Sequence, residues 1–175
     1  KGHVGYYCGG MNQNAKIVIE GNAGTGLGEN MMSGIIHVKG NTSQSAGATA
    51  HGGTIIIDGN ASSRCGISMK GVEIIVKGSV GHMSGFMAQA GTLLICGNAG
   101  EALGDSIYET IIYMAGKPKS LGADCIEKKI TKKDLLKIEE LIKLSNIKKI
   151  KPIEFKKYGS ARKLYNFNID NASDY

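Results

Sequence analysis

Six short runs of β-branched and apolar residues recur along the first two thirds of the chain: KIVIE, IIHVK, TIIID, EIIVK, TLLIC and IIYMA. Each runs straight into a glycine. Alternation along a strand sends residues i and i+2 to the same face, so Ile17, Ile36, Ile55, Ile74, Leu93 and Ile112 form one inward column. Ile19, Val38, Ile57, Val76, Ile95 and Met114 form a second, and together these side chains are the predicted core. Helices are disfavoured, since glycine in a helix interior costs roughly 1 kcal/mol per residue. The intervening strand positions, Val18, His37, Ile56, Ile75, Leu94 and Tyr113, are too apolar for a plain solvated face, which predicts a covering helix or partner protein.

The glycines set the period. Gly2, Gly21, Gly40, Gly59, Gly78, Gly97 and Gly116 are spaced by nineteen residues each time, and Gly9, Gly28, Gly47, Gly66, Gly85 and Gly104 keep the same period. A middle position holds Gly5, Gly24, Ser43, Ser62, Gly81 and Gly100, so four of six repeats read G-x-x-G-x-x-x-G. A fixed period with no helix between strands predicts an all-β solenoid, each repeat one coil stacked parallel on the last at about 4.8 Å. Residues of equal phase then form ladders. Asn22, Asn41, Asn60, Ser79 and Asn98 predict a stacked amide ladder, and Glu20, Lys39, Asp58 and Lys77 alternate in sign. The glycine columns mark corners that need positive φ or close backbone approach.

The stretch KIVIEGNAGTGLGEN invites a different reading, as the phosphate-binding turn of a dinucleotide enzyme. That turn requires a helix after its glycines. Here ENMMSGIIHVKGN leads to another strand and another Gly-Asn, and the pattern recurs in every coil. The glycines serve corners.

Composition divides the chain near residue 116. Residues 1–116 hold 24 of the 26 glycines and six basic against seven acidic residues, net −1, whereas residues 117–175 carry fifteen basic and eight acidic, net +7. Within this basic appendage Thr131 and Asp134 form a capping-box signature before TKKDLLKIEELIKLSN, predicting a helix over about 131–145 with Leu135, Ile138, Leu141, Ile142 and Leu144 on one stripe. The residues after Pro152 show little periodicity and predict an extended arm, lying on this solenoid or on another subunit. Lysines beside Tyr158, Tyr165 and Phe167 raise nucleic-acid binding, but a solvated basic helix and arm is the simpler reading. No apolar run approaches the roughly eighteen residues of a membrane span. No signal-peptide pattern opens the chain, and Lys1 falls within a coil, which predicts further residues upstream; the cysteine usage is what points to a cytoplasmic protein.

Candidate chemistry is sparse. Cys8 and Cys65 share a phase but lie three coils apart, on the order of 14 Å, too far for a disulfide. Reduced thiols are expected for all four cysteines, Cys96 and Cys125 included. His3, His37, His51 and His82 fall in four phases and predict no shared metal. His82 lies one coil from Glu101 in the same column, a surface pair in the simpler reading and an oriented base in the sharper one. Asp58, Glu73, Asp105 and Glu109 are dispersed, unlike the clustered carboxylates of β-helix glycan-degrading enzymes. No catalytic, cofactor-binding or metal-binding residue is assigned to the chain.

The repeats GHVGYYCG, GNAGTGLG, GSVGHMSG and GNAGEALG resemble the GXGXG domain, which forms the C-terminal part of the glutamate synthase large subunit and recurs in one of the subunits of formylmethanofuran dehydrogenase. The segments SLGADCIEK and SARKLYNF are similar to the stand-alone archaeal version of the glutamate synthase domain. The resemblance implies a right-handed parallel β-helix and a scaffold without catalytic residue, flavin or iron–sulfur cluster. It implies partners: a synthase subunit with FMN and iron–sulfur clusters, and a glutaminase-type amidotransferase subunit. The alternatives are a subunit of a molybdenum or tungsten formylmethanofuran dehydrogenase, and an independent β-helix enzyme. Neither nucleic acid nor membrane is an expected partner, while free strand edges at the ends of the stack make a homo-oligomer a further expectation.

Overall fold

The computed structural model describes residues 2–162. Six parallel strands, β1 (Lys16–Ile19), β2 (Ile35–Val38), β3 (Thr54–Ile57), β4 (Lys70–Val76), β5 (Ala90–Ile95) and β6 (Ile111–Met114), stack in sequence order. Their register is the sequence period: Ile17 lies on Ile36, Ile36 on Ile55, Ile55 on Ile74, Ile74 on Leu93 and Leu93 on Ile112. A second ladder of single bridges runs through Val4, Ala23, Thr42, Ala61, Val80, Ala99 and Pro118 on another side of each coil. The molecule is a parallel β-helix of nineteen-residue coils, as the repeat predicts.

The predicted core is buried, except that Ile17 in the first described coil is only partly so. Three further columns share that interior: Leu27, Ala46, Cys65 and Leu103; Ala23, Ala61, Val80 and Ala99; Met31, Ala50, Met69, Ala88 and Ile107. Their mixture of small alanines with larger leucine and methionine side chains fills the space that the isoleucine ladders leave.

The glycine columns solve two different problems. In the third side of each coil every second residue has positive φ, for example Ser45, Gly47 and Thr49, or Arg64, Gly66 and Ser68. Non-glycine residues thus tolerate this conformation on either side of the column. Glycine is needed at its centre because a Cβ there would point inward onto the core ladder: at Gly28 it would lie 2.8 Å from Ile55 Cδ1. The column from Gly21 to Gly97 lacks positive φ; there the limit is close approach, and a Cβ on Gly59 would lie 2.8 Å from the Gly40 carbonyl oxygen. The middle column is similar, since a Cβ on Gly24 would meet the Gly5 carbonyl at 2.7 Å. Ser43 and Ser62 keep the inter-coil bond of their glycine counterparts, with N–H to carbonyl distances of 3.0 and 3.1 Å against 3.0 Å for Gly24.

The asparagine column is a ladder, but not one of stacked amides. Each side-chain oxygen accepts from the backbone N–H of the next coil: Asn22 Oδ1 from Asn41, Asn41 from Asn60 and Asn60 from Ser79, all at 2.8 Å, and Asn98 from Lys117 at 2.9 Å. Ser79 Oγ continues the series to Asn98, and His3 Nδ1 opens it by accepting from Asn22 at 2.9 Å. Corner N–H groups are orphaned where the strand ends, so the side chain takes over the role of a ladder carbonyl.

The appendage folds back on its own solenoid. Strand β7 (Cys125–Lys128) precedes helix α1 (Lys132–Ser145), and a 3-10 turn (Pro152–Glu154) leads into strand β8 (Lys156–Ser160). In place of the expected extended arm, β8 pairs antiparallel with β6 on one side and β7 on the other. The unpaired edge of the last coil explains this, because its backbone groups need partners. Thr131 and Asp134 form the predicted capping box, and Asn146 ends the helix in the left-handed conformation. Ile138 and Leu141 bury against Ile56, Ile75, Leu94 and Tyr113, so the helix covers the later part of the apolar outward column, while Val18 at its start stays exposed. Leu144, 46% exposed, and Leu135, half-buried outside this cluster, depart from the predicted stripe. Residues 163–175, with Tyr165 and Phe167, lie outside the described residues.

Candidate functional site

Among the polar clusters of the described residues, three bear on function; a fourth, in which Lys137 of α1 joins Glu73 and Glu140, ties the helix to the solenoid. The most buried joins the appendage to the solenoid: Tyr113 on β6 donates its hydroxyl to Asp134 Oδ1 at 2.7 Å, and Lys157 on β8 reaches the same oxygen at 2.8 Å. The other oxygen, Oδ2, accepts from the Thr131 backbone N–H at 2.7 Å and from its hydroxyl at 2.6 Å. Burial alone would raise the Asp134 pKa, but Lys157 and the hydrogen bonds from Thr131 and Tyr113 outweigh it and hold the carboxyl well below the usual range. Burial and the facing carboxylate push the Tyr113 phenol up, so it stays neutral and donates. Every member of this network is engaged, with no space for a substrate between them. It is a latch.

The second cluster lies on the outward face of the early coils. Asp58 takes Lys77 at 2.7 Å and His37 Nε2 at 2.9 Å, with Lys39 at 3.8 Å. Burial opposes ionisation of Asp58, yet Lys77 and His37 lower its pKa. The alternating-sign column accounts for the lysines. His37 comes from the neighbouring strand position and meets Asp58 diagonally, a relation that same-phase comparison misses.

The third is the His82 and Glu101 pair. Both lie open to solvent beside Lys119, which holds Glu101 at 2.7 Å and, ahead of any effect of His82, lowers its pKa. The carboxylate that would orient a histidine base is already engaged by a lysine. An exposed pair of this kind contributes little.

Three of the four cysteines are poor nucleophiles. All four are free thiols. Burial pushes Cys65 up to about 12, and Cys96 and Cys125 up to about 11, so their thiolate fraction at neutral pH is negligible. Among the described residues no three His, Cys, Asp or Glu side chains gather around one point that could hold a metal ion. Among them, too, no helix is long and apolar enough to cross a membrane. Tyr158 is buried between β6 and β7 and presents no stacking surface for a base.

No family model matches the chain. Protein GlxC of Rhizobium meliloti (strain 1021) is 58% identical over 174 residues, covering 99% of this chain and 76% of that protein. The chain belongs to the GlxC family. In this GlxC family member the repeat glycines, from Gly2 to Gly104, and the asparagines, from Asn22 to Asn98, are spread along the stack of coils. Tyr113, Asp134 and Lys157, which sequence comparison within the repeat does not single out, meet in a buried network between the appendage and the solenoid.

Proposed function

We propose that the chain is a non-catalytic scaffold subunit of a cytoplasmic, glutamate synthase-like oxidoreductase complex. Glutamine hydrolysis is assigned to a glutaminase-type partner, and reductive transfer of ammonia to 2-oxoglutarate to a partner carrying FMN and iron–sulfur clusters. The observation that carries this reading is where the polar groups go. The Asn column accepts backbone N–H groups between coils, Asp134 fastens the helix, and the carboxylates facing His37 and His82 are occupied by Lys77 and Lys119. A catalytic site instead needs a nucleophile or base directed into a cavity beside groups that stabilise developing charge. The G-x-x-G-x-x-x-G coils and the segments SLGADCIEK and SARKLYNF support the assignment to the glutamate synthase branch by resemblance.

The test is affinity isolation of the tagged chain from its native cells, with mass spectrometry of the co-purifying subunits and an assay of the eluate for glutamine-dependent glutamate formation. The reading expects a flavin iron–sulfur synthase and a glutaminase-type chain, with activity. Pterin-metal subunits in their place would overturn it in favour of a formylmethanofuran dehydrogenase component.

A further inference from the structure

The side of α1 turned away from the solenoid carries apolar groups of its own. Leu136 is 68% exposed, Ile153 on the following 3-10 turn is 70% exposed, and both line one shallow groove of about 460 Å³ with Leu135, Pro152, Lys132 and Glu139. Two separate elements thus contribute apolar side chains to one surface, which distinguishes it from singly scattered exposed residues.

Among the described residues, exposed lysines without an ion pair outnumber such carboxylates around this groove: Glu154, beside Ile153, accepts only the Lys151 backbone N–H. Glu139 is engaged by Lys143 at 2.8 Å. Lys132 and Lys133 precede Leu136 by four and three residues and therefore neighbour it on the helix surface. Lys151 adjoins Pro152 in sequence. These three lysines are exposed and form no ion pair among the described residues, unlike Lys137, Lys143, Lys156 and Lys157.

We propose that this groove is the docking site for an amphipathic segment of a partner subunit, one that presents apolar side chains flanked by aspartate or glutamate. The proposal rests on the scaffold reading. Leu136 and Ile153 are the anchors, since desolvated apolar contacts at the centre of an interface hold the complex. Lys132, Lys133 and Lys151 form the rim, where charge steers the encounter and selects an acidic partner. Docking leaves the solenoid undisturbed, because Ile138 and Leu141 on the opposite helix face stay packed.

The experiment compares subunit recovery by the full-length tagged chain as wild type, Leu136→Asp/Ile153→Asp, Lys132→Glu/Lys133→Glu/Lys151→Glu, and Tyr6→Asp as a control on an exposed residue of the first described coil. Circular dichroism checks the fold of each. The expected result is at least a tenfold loss for the apolar double variant, a several-fold loss for the charge reversal that shrinks as salt is raised, and full recovery by Tyr6→Asp. Undiminished recovery by the groove variants, with the wild type bringing its subunits, overturns the docking site and leaves the scaffold reading standing. A wild type that brings no subunit at all contradicts both. A homodimer dissolved by the same variants, or binding to anionic phospholipid vesicles lost in them without change in subunit recovery, assigns the groove to another occupant and overturns the proposal.

Discussion

The Tyr113 hydroxyl donates to Asp134 Oδ1 at 2.7 Å across the seam between the last solenoid strand and the first turn of α1. This one carboxylate caps the helix, receives the solenoid's phenol and pairs with Lys157. Tyr113→Phe removes one hydrogen bond to a charged group and is expected to cost about 2 kcal/mol. Asp134→Ala also leaves Lys157 without its partner and Thr131 without its reciprocal bond, with an expected cost of about 3–5 kcal/mol. Urea unfolding measures both, and equal effects would contradict the shared role of Asp134.

Acid should loosen the same seam. Asp134 and Asp58 both have folded pKa values depressed below the unfolded aspartate value of about 3.9. A depressed carboxylate contributes its full stability above the unfolded value and loses it as pH falls through the folded one. Stability is therefore expected to be flat above about pH 5 and to fall below about pH 4. Asp134→Asn removes part of that slope; a variant with the wild-type pH profile would contradict the assignment.

The two kinds of glycine should respond differently to the same substitution. At Gly59 a Cβ meets the Gly40 carbonyl oxygen at 2.8 Å, and backbone in a stacked coil has nowhere to move. At Gly66 the nearest atom is Met69 Sδ at 3.0 Å, a flexible thioether, and the remaining cost is that of φ +70°. Gly66→Ala is expected to cost about 1–2 kcal/mol, and Gly59→Ala more, although the φ of Gly59 is ordinary. Thermal unfolding of the two variants decides, and the reverse order would refute the division.

Much of this architecture is legible in the sequence because a solenoid repeats its reasons. Ile36, Ile55 and Ile74 announce the same column three times over, and the fixed period places each above the next. What the repeat cannot show is whatever occurs once. Strand β8 forms because the edge of β6 is open, not because KKYGS has strand periodicity, so an extended arm is the natural expectation from sequence. The His37–Asp58 contact joins different phases, and the Tyr113–Asp134 bond joins a repeat position to a helix cap. The asparagine ladder is visible as a column, yet its partner, the backbone N–H, is the same in every residue and leaves no mark in sequence.

That backbone role gives a further expectation. Asn41→Asp keeps an oxygen where Asn60 N–H donates at 2.8 Å and should be tolerated, while Asn41→Leu strands that donor and should cost about 1–2 kcal/mol. Hydrogen exchange at the Asn60 amide reads this directly: protection retained in the leucine variant would argue against the ladder.

Ile55→Asp tests the core assignment itself. A carboxylate placed in this fully buried column has no partner and should cost several kcal/mol or prevent folding. Soluble protein with a native circular dichroism spectrum would contradict the column.

Under the proposed function this chain assembles the complex and leaves the chemistry to its partners. The most direct measurement is glutamine-dependent glutamate formation by the complex reconstituted with either the wild-type chain or one carrying Cys8→Ala, His51→Ala and His82→Ala together, with assembly followed by size-exclusion chromatography. Equal turnover in the two complexes, and none from the chain alone, is the predicted result. Turnover lost in a fully assembled variant complex would place a catalytic group on this solenoid and contradict the claim.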